Sequence, residues 1–282
     1  ANYYNTNYYK PEYVNENFDC FVIPLSDAFR ENFVNELNEL TSFVKKLKIP
    51  CYVIGVGLKE SYEPDFSQPK PQDEAVKKFV TAVLEKSNCI GVRGELTGKY
   101  LETLGFAEGR DFMVIGCPSM YMKGKRLHIQ NPKLDVNSKV CFNSNVAASV
   151  PTRKFIKLKM KEFENHYFIG QVVNELRSIY LGAPYEYKIE YNFRNVTDKI
   201  YQDGRLRFFC NVPKWMEFLN DSDLTFGSRL HGNIAAVLAG TPALLVTKDS
   251  RTRELAEYHH LNAIHESKLN EKLTLQDLVE QQ

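Results

Sequence analysis

Apolar residues along the chain fall into two kinds of stretch. Short, mostly apolar runs recur at Phe18–Pro24, Cys51–Val56, Cys89–Val92, from Phe112 onward, and at Tyr167–Gln171, Leu206–Cys210, Leu224–Phe226 and Ala243–Val246, with a further one in Lys139–Asn145 that closes on a polar Asn-Ser-Asn end. Between them lie stretches whose apolar positions repeat every three or four residues, the clearest being Asp27–Lys48 with Phe29, Phe33, Leu37, Leu40, Phe43, Val44 and Leu47. Unbroken runs predict strands buried on both faces, and the longer period predicts amphipathic helices. Helices are therefore expected at Asp27–Lys48, Asp73–Lys86, Leu96–Leu104, Pro151–Lys161, Glu175–Tyr180, Val212–Leu219, Ile234–Ala239, Arg251–His260 and Leu273–Gln282. Strand and helix alternate, which is the pattern of an α/β protein with parallel sheets. Residues 2–17 show neither period and are expected to be loop. Glu60–Gln72, with three prolines, reads as a surface loop able to act as a lid.

The stretch with most chemistry runs from Leu224 to Val246. A buried strand closes at Phe226, Gly227-Ser228 makes a turn, and Arg229-Leu230-His231-Gly232-Asn233 forms a polar mouth before a small-residue helix stopped by Gly240. The next parallel strand follows. Ser228, Arg229 and His231 thus stand at a strand's carboxyl end and a helix's amino end, where open α/β sheets bind ligands and anions are favoured. Arg229 offers a planar fork for phosphate or carboxylate, and His231 titrates near neutral pH. Asp249-Ser250-Arg251 ends the following strand and is expected on the same rim, with Asp249 or Ser250 as the helix N-cap. The plain alternative is that Arg229 and His231 cap a helix and bind structural carboxylates.

Other strand ends carry weaker signals. Arg93 follows Cys89–Val92 at a strand-to-helix turn, placed either to add positive charge opposite Arg229 or to pair with Glu95 or Asp111. Gly55-Val-Gly57 is half of a dinucleotide fingerprint and points to close backbone approach. In Gly116-Cys-Pro-Ser-Met-Tyr, Cys117 has no local His, so Ser119 is the better ligand contact. Asn143 and Asn145 could hydrogen-bond a substrate or build an Asx turn. The charges of Pro151–Lys161 read as a solvated face, with attraction to an anionic membrane surface or lipid-linked acceptor as the second reading.

Composition adds limits. Lys and Arg number 36 against 35 Asp and Glu, which argues against a dedicated nucleic-acid binder. The six cysteines (Cys20, Cys51, Cys89, Cys117, Cys141, Cys210) form no CxxC pair and read as buried reduced thiols, so no zinc site is expected. His259, His260 and His265 are taken as surface residues. No apolar run reaches transmembrane length and no signal pattern opens the chain, so a cytoplasmic protein is expected, with peripheral membrane contact open. The start at Ala1-Asn-Tyr-Tyr is unlike a natural N-terminus, and a first βα turn is expected to be missing. Lys123–Lys133 is basic, aperiodic and contains Gly and Pro, which makes it the expected linker.

Gly227-Ser-Arg-Leu-His-Gly-Asn-Ile-Ala-Ala with the later Asp249-Ser-Arg-Thr-Arg-Glu-Leu resembles the polysaccharide pyruvyl transferase family. Val92-Arg-Gly-Glu-Leu-Thr and Gly116-Cys-Pro-Ser-Met-Tyr resemble its weaker segments. The resemblance implies two Rossmann-like domains facing a cleft in the glycosyltransferase B manner. Residues 1–130 would form the first, on the acceptor side, and 131–282 the second. It also implies transfer from phosphoenolpyruvate to a sugar diol, forming a pyruvate ketal and releasing phosphate. Arg229 and His231 would be catalytic. Arg93, Ser119, Asn143, Asn145, Ser228, Leu230, Gly232, Asn233, Asp249, Ser250 and Arg251 would contact substrate, without metal or cofactor. The rivals are a glycosyltransferase using a nucleotide sugar, with Glu254 as the nearest ribose-binding carboxylate, and a non-catalytic sugar- or phosphate-binding module.

Overall fold

The computed structural model describes residues 10–145, 147–183 and 196–281. In chain order the regular elements are α1 (Pro11–Asn17), β1 (Phe21–Ile23), α2 (Val34–Lys45), β2 (Cys51–Val53), α3 (Asp73–Leu84), β3 (Ile90–Val92), α4 (Glu95–Thr103), β4 (Phe112–Val114), β5 (Val140–Asn143), α5 (Val150–Met160), β6 (His166–Gly170), α6 (Val173–Leu181), α7 (Lys199–Gln202), β7 (Leu206–Phe208), α8 (Val212–Asn220), β8 (Leu224–Gly227), α9 (Leu230–Ala239), β9 (Ala243–Thr247), α10 (Ser250–Tyr258), β10 (Ala263–His265) and α11 (Leu275–Glu280). The chain forms two compact units. The first holds residues 1–121 together with Lys248–His260, and the second holds Met122–Thr247 with Leu261–Gln282. Asp249, Ser250 and Arg251 therefore belong with Arg93 in the first unit.

In the first unit β1 pairs with β2 and β3 with β4, all parallel, and a bridge from Val56 to Val92 joins the two pairs. The predicted helix over 27–48 begins later, because Glu31–Phe33 is a single 3-10 turn and only Val34 onward is α-helical. Leu37, Leu40, Phe43 and Val44 from α2 and Val76, Phe79, Val80 and Val83 from α3 fill one core with Ile23, Val53 and Val92. The expected loop over 2–17 is helical from Pro11. Proline sits there at the first turn, where its missing N–H costs nothing, and Val14 turns inward; the earlier part of that loop lies outside the described residues.

The second unit is built on a six-stranded parallel sheet in the order β10-β9-β8-β5-β6-β7. Read from β5 as the first strand, this is the doubly wound order, in which the connections reverse direction between β5 and β8. Phe142, Phe168, Phe226, Leu244 and Val246 pack with Phe155 and Ile156 of α5 and with Leu275 and Leu278 of α11. α9 is apolar nearly all round and buried from Gly232 to Leu238, as its small residues predict. Gly240 ends it at φ +92°, the left-handed C-cap expected there.

Several expectations need correction. Cys20 and Cys210 are exposed and Cys89 is half-buried, leaving Cys51, Cys117 and Cys141 as the buried thiols. Arg153 and Lys159 of α5 are buried, so its basic face is carried by Lys154, Lys157 and Lys161. Lys159 instead reaches Glu162 at 2.7 Å and the Glu271 carbonyl at 3.2 Å. His259 is half-buried. Among the described residues no helix is long and apolar enough to cross a membrane.

Candidate active site

The reversal point between β5 and β8 is where the second unit's sheet opens at its carboxyl edge, and the predicted motif lies there. After β8 the chain turns through Ser228 and Arg229 into α9, whose first turn carries Leu230, His231, Gly232 and Asn233. β5 ends at Asn143 and is followed by Ser144 and Asn145. The two strand ends are stitched together. The Arg229 amide donates to Asn143 Oδ1 at 2.8 Å, the Ser228 amide to the Asn143 carbonyl at 3.3 Å, and the Asn145 amide to Ser228 Oγ at 3.0 Å. Asn145 Oδ1 accepts from the Ala147 amide at 2.9 Å, the Asx turn foreseen as the alternative. Asn143 and Ser228 are buried.

The Arg229 guanidinium is held by two acceptors. Its Nε donates to the Ser144 carbonyl at 2.7 Å and its Nη2 to Glu175 Oε1 at 2.7 Å. Glu175 is fully buried, and its Oε2 accepts from the amides of Gln171 and Val172 at the start of α6. The guanidinium is thus fixed by a carboxylate that is itself fixed by backbone. That partly fulfils the plain reading, since Arg229 does bind a structural carboxylate, yet it also presets the orientation a ligand would need.

The rest of the mouth divides by exposure. His231 is exposed on the first turn of α9, and Leu230 is core. Asn233 is buried, its Nδ2 donating to the carbonyls of Gly227 at 3.1 Å and Arg229 at 2.9 Å, so it braces the turn. A Cβ on Gly232 would stand 2.5 Å from Gln171 Nε2 and 3.3 Å from Asn143 Nδ2. Only glycine lets those two amides lie against the amino end of α9. Gln171 Nε2 is buried without a partner. Glu175 and Gln171 escaped sequence reasoning. Their one signal is position, directly beyond the carboxyl end of β6.

The remaining predicted site residues sit in the first unit. Arg93 is buried and pairs with neither Glu95 nor Asp111, which bind Lys99 and Arg110. Its Nε donates instead to the Gly55 carbonyl at 2.6 Å. Asp249 caps α10, accepting from the Thr252 amide at 2.9 Å and its hydroxyl at 2.8 Å. Ser250 Oγ joins the chain at 58–60, accepting from the Glu60 amide at 2.9 Å. Ser119 Oγ lies 2.9 Å from Cys117 Sγ, and the Cys117 amide donates to His259 Nε2 at 2.7 Å. Glu254 is buried over the start of α4, where both oxygens accept from Thr97 at 2.9 Å. Burial pushes its carboxyl up to about 7 against the pull of Thr97 and Arg93. The close approach expected at Gly55–Gly57 is to side chains, for a Cβ on Gly57 would stand 3.0 Å from Arg93 Cδ and 3.1 Å from Glu254 Oε1. Among the described residues no three His, Cys, Asp or Glu are grouped to hold a metal ion.

Among solved structures, the chain is similar to the UDP-N-acetylglucosamine 2-epimerase of Methanocaldococcus jannaschii in complex with UDP-GlcNAc and UDP. That match has 13% identity, a TM-score of 0.51, and covers 96% of this chain and 70% of the other. A Listeria monocytogenes protein assigned as the same kind of epimerase matches at 13% identity and a TM-score of 0.51, over 96% of this chain and 66% of its own. At that identity the likeness shows the fold alone, a GT-B-like arrangement of α/β units, and this chain spans 66% of that second protein's length. No curated protein sequence matches significantly. The sequence model of polysaccharide pyruvyl transferases matches residues 1–250, so it takes in both units and reaches the start of α10. The chain belongs to the polysaccharide pyruvyl transferase family.

Proposed function

We propose that this transferase moves the three-carbon unit of phosphoenolpyruvate onto two hydroxyls of a sugar, forming a pyruvate ketal and releasing phosphate. The observation that carries the reading is Arg229 at the mouth of α9, oriented by buried Glu175 and followed by exposed His231. Phosphoenolpyruvate brings a carboxylate and a phosphate. Arg229 and the amino end of α9 supply fixed donors for such groups, and Gln171 Nε2 is a further buried donor beside them.

The chemistry then needs three acts. A proton is delivered to the methylene carbon, and a sugar hydroxyl attacks the cationic carbon so formed. The second hydroxyl closes the ring as phosphate leaves with the C–O bonding pair. His231 suits the proton transfers because imidazole works in both directions near neutral pH. Positive charge at the phosphate stabilises its departure, and the steps as written call for no metal or cofactor. Exposed Lys154, Lys157 and Lys161 on α5 would favour an acceptor held at an anionic membrane surface, in a protein working in the cytoplasm.

The nucleotide-sugar reading is less well supported. It needs a carboxylate for a ribose, and Glu254 is occupied by Thr97 while Glu175 is occupied by Arg229. Incubation with phosphoenolpyruvate and a panel of galactosides, mannosides and N-acetylhexosamines tests the proposal. Phosphate released only when an acceptor is present supports it. No release with any acceptor, together with thermal stabilisation by nucleoside diphosphates, would turn the assignment to a glycosyltransferase.

A further inference from the structure

The second unit holds a cavity at the edge of its sheet opposite the Arg229 motif. Lys157 lies in the last turn of α5 and Lys161 caps it, His166 opens β6, Lys199 belongs to α7, and Arg205 directly precedes β7. These are the amino ends of parallel strands, whereas Ser228, Arg229 and His231 stand beyond a carboxyl end. β6 is five residues long, so at roughly 3.3 Å per residue the two edges are about 16 Å apart. The cavity is therefore a different place from the one assigned to phosphoenolpyruvate. It measures about 540 Å³, within the range of small-molecule sites, and Met160 and Ile200 give it an apolar part.

The charge in the lining is one-sided. Lys157, Lys161, Lys199 and Arg205 face Asp198 and Asp203, an excess of two positive charges. His166 adds none at neutral pH, because burial, with Arg205 beside it, holds the imidazole below its ordinary value. Asp203 stands 3.8 Å from Arg205, and Glu162, next in the chain to Lys161, is turned to buried Lys159 at 2.7 Å. Among the described residues no carboxylate lies within ion-pair distance of Lys157, Lys161 or Lys199. α5 itself carries no acid, and Lys157 and Lys161 have the spacing at which like charges repel on a helix. Attraction to the carboxyl end of α5 accounts for those two lysines. It does not account for Lys199 and Arg205, which reach the same hollow from other elements. Arg205 is also held in place, its Nη1 donating to the Glu164 carbonyl and lying 3.3 Å from His166 Nδ1.

We propose that this cavity is a second ligand site that takes a small organic phosphate, with the phosphate among Lys161, Lys199 and Arg205 and the organic part against Met160 and Ile200. An excess of two positive charges matches a phosphate dianion, and Lys and Arg are its ordinary partners. Apolar side chains beside the cations favour a phosphate that carries carbon over the free ion. A hollow of this size suits a separate molecule, whereas the headgroup layer of a membrane would lie across it and leave it unfilled. The site stands whatever the Arg229 motif binds, since the two share no residue.

His166 reports on the site directly. Its ring signals in the full chain, assigned by their loss in His166→Asn, are followed by NMR as phenyl phosphate is added. They should shift and saturate, and phenyl phosphate should bind at least about threefold tighter than inorganic phosphate, the gain of a ring laid on apolar surface. Lys161→Gln and Lys199→Gln, both at exposed positions, should each weaken phenyl phosphate about tenfold. Signals unmoved by phenyl phosphate, or an affinity indifferent to both substitutions, would overturn the site. Inorganic phosphate binding as tightly as phenyl phosphate would overturn the organic part of the assignment. Vesicles of phosphatidic acid in phosphatidylcholine that move the signals where phenyl phosphate does not would overturn the soluble ligand and make this edge a membrane contact.

Discussion

Arg229 donates from Nη2 to Oε1 of Glu175 at 2.7 Å, and Glu175 is fully buried with its other oxygen held by the amides that open α6. A cation on one strand end is therefore aimed by an acid on another. If the aim matters, Glu175→Gln should keep the fold, because the amide fills the same space, and lower kcat/KM for phosphoenolpyruvate by about 10- to 100-fold through loss of the charged partner. Glu175→Ala should cost stability as well, about 3 kcal/mol or more, because it leaves a half-buried cation and two amides without their acceptor. Steady-state kinetics and denaturant unfolding of both variants check this.

Gly232 gives a second expectation. A methyl group there would stand 2.5 Å from Gln171 Nε2, so Gly232→Ala must push that amide away. The helix itself gains from alanine. The variant should unfold at or above the wild-type temperature while its KM for phosphoenolpyruvate rises about tenfold, the signature of a residue kept small for binding.

Glu254 predicts how stability varies with pH. Its carboxyl is pushed by burial from 4.5 to about 7 in the folded chain. Between those values the folded state holds a proton that the unfolded chain has released, so this group's share of stability is full below the lower value and lost as pH rises through the upper one. Glu254→Gln copies the protonated form. It should flatten the stability profile between pH 4.5 and about pH 7 by an amount on the order of 3 kcal/mol or less, read from urea unfolding across that range.

His259 works in the opposite direction. Its Nε2 accepts from the Cys117 amide at 2.7 Å, and burial, with His260 beside it, holds the imidazole below its ordinary value. Protonation would replace the lone pair with an N–H. The stabilisation is present above the ordinary histidine value and is lost as pH falls through the lowered one. Cys117 amide exchange, corrected for its intrinsic pH dependence, should lose protection as pH falls below the ordinary histidine range. In His259→Ala that protection should be absent at every pH.

Much of this was legible in the chain. Apolar runs located nine of the ten strands among the described residues; β3, β5, β8 and β9 are buried on both faces as expected, whereas β1, β2 and β4 keep the apolar run although Val22, Tyr52 and Met113 are exposed. Gly240 and the Asp249 cap marked the ends of their helices through local rules that tertiary packing did not override. β10 went unread: Ala263–His265 is too short to show a period and is fixed by pairing with β9. α1 was hidden because helix formation there hangs on Pro11 and one inward residue, Val14. The motif around Arg229 was readable since strand, turn and helix are contiguous. Glu175 and the cavity at the amino end of β6 were not, for their meaning comes from partners that only the fold brings near.

The proposed action of Arg229 and His231 on phosphoenolpyruvate has a kinetic consequence. It is tested most directly by measuring phosphate release with acceptor present in wild type, Arg229→Ala and His231→Ala, with circular dichroism confirming that each is folded. Release should require the acceptor and fall by about 10²- to 10⁴-fold in His231→Ala, the range expected for loss of a general acid–base group. His231→Ala turning over at close to the wild-type rate would contradict it.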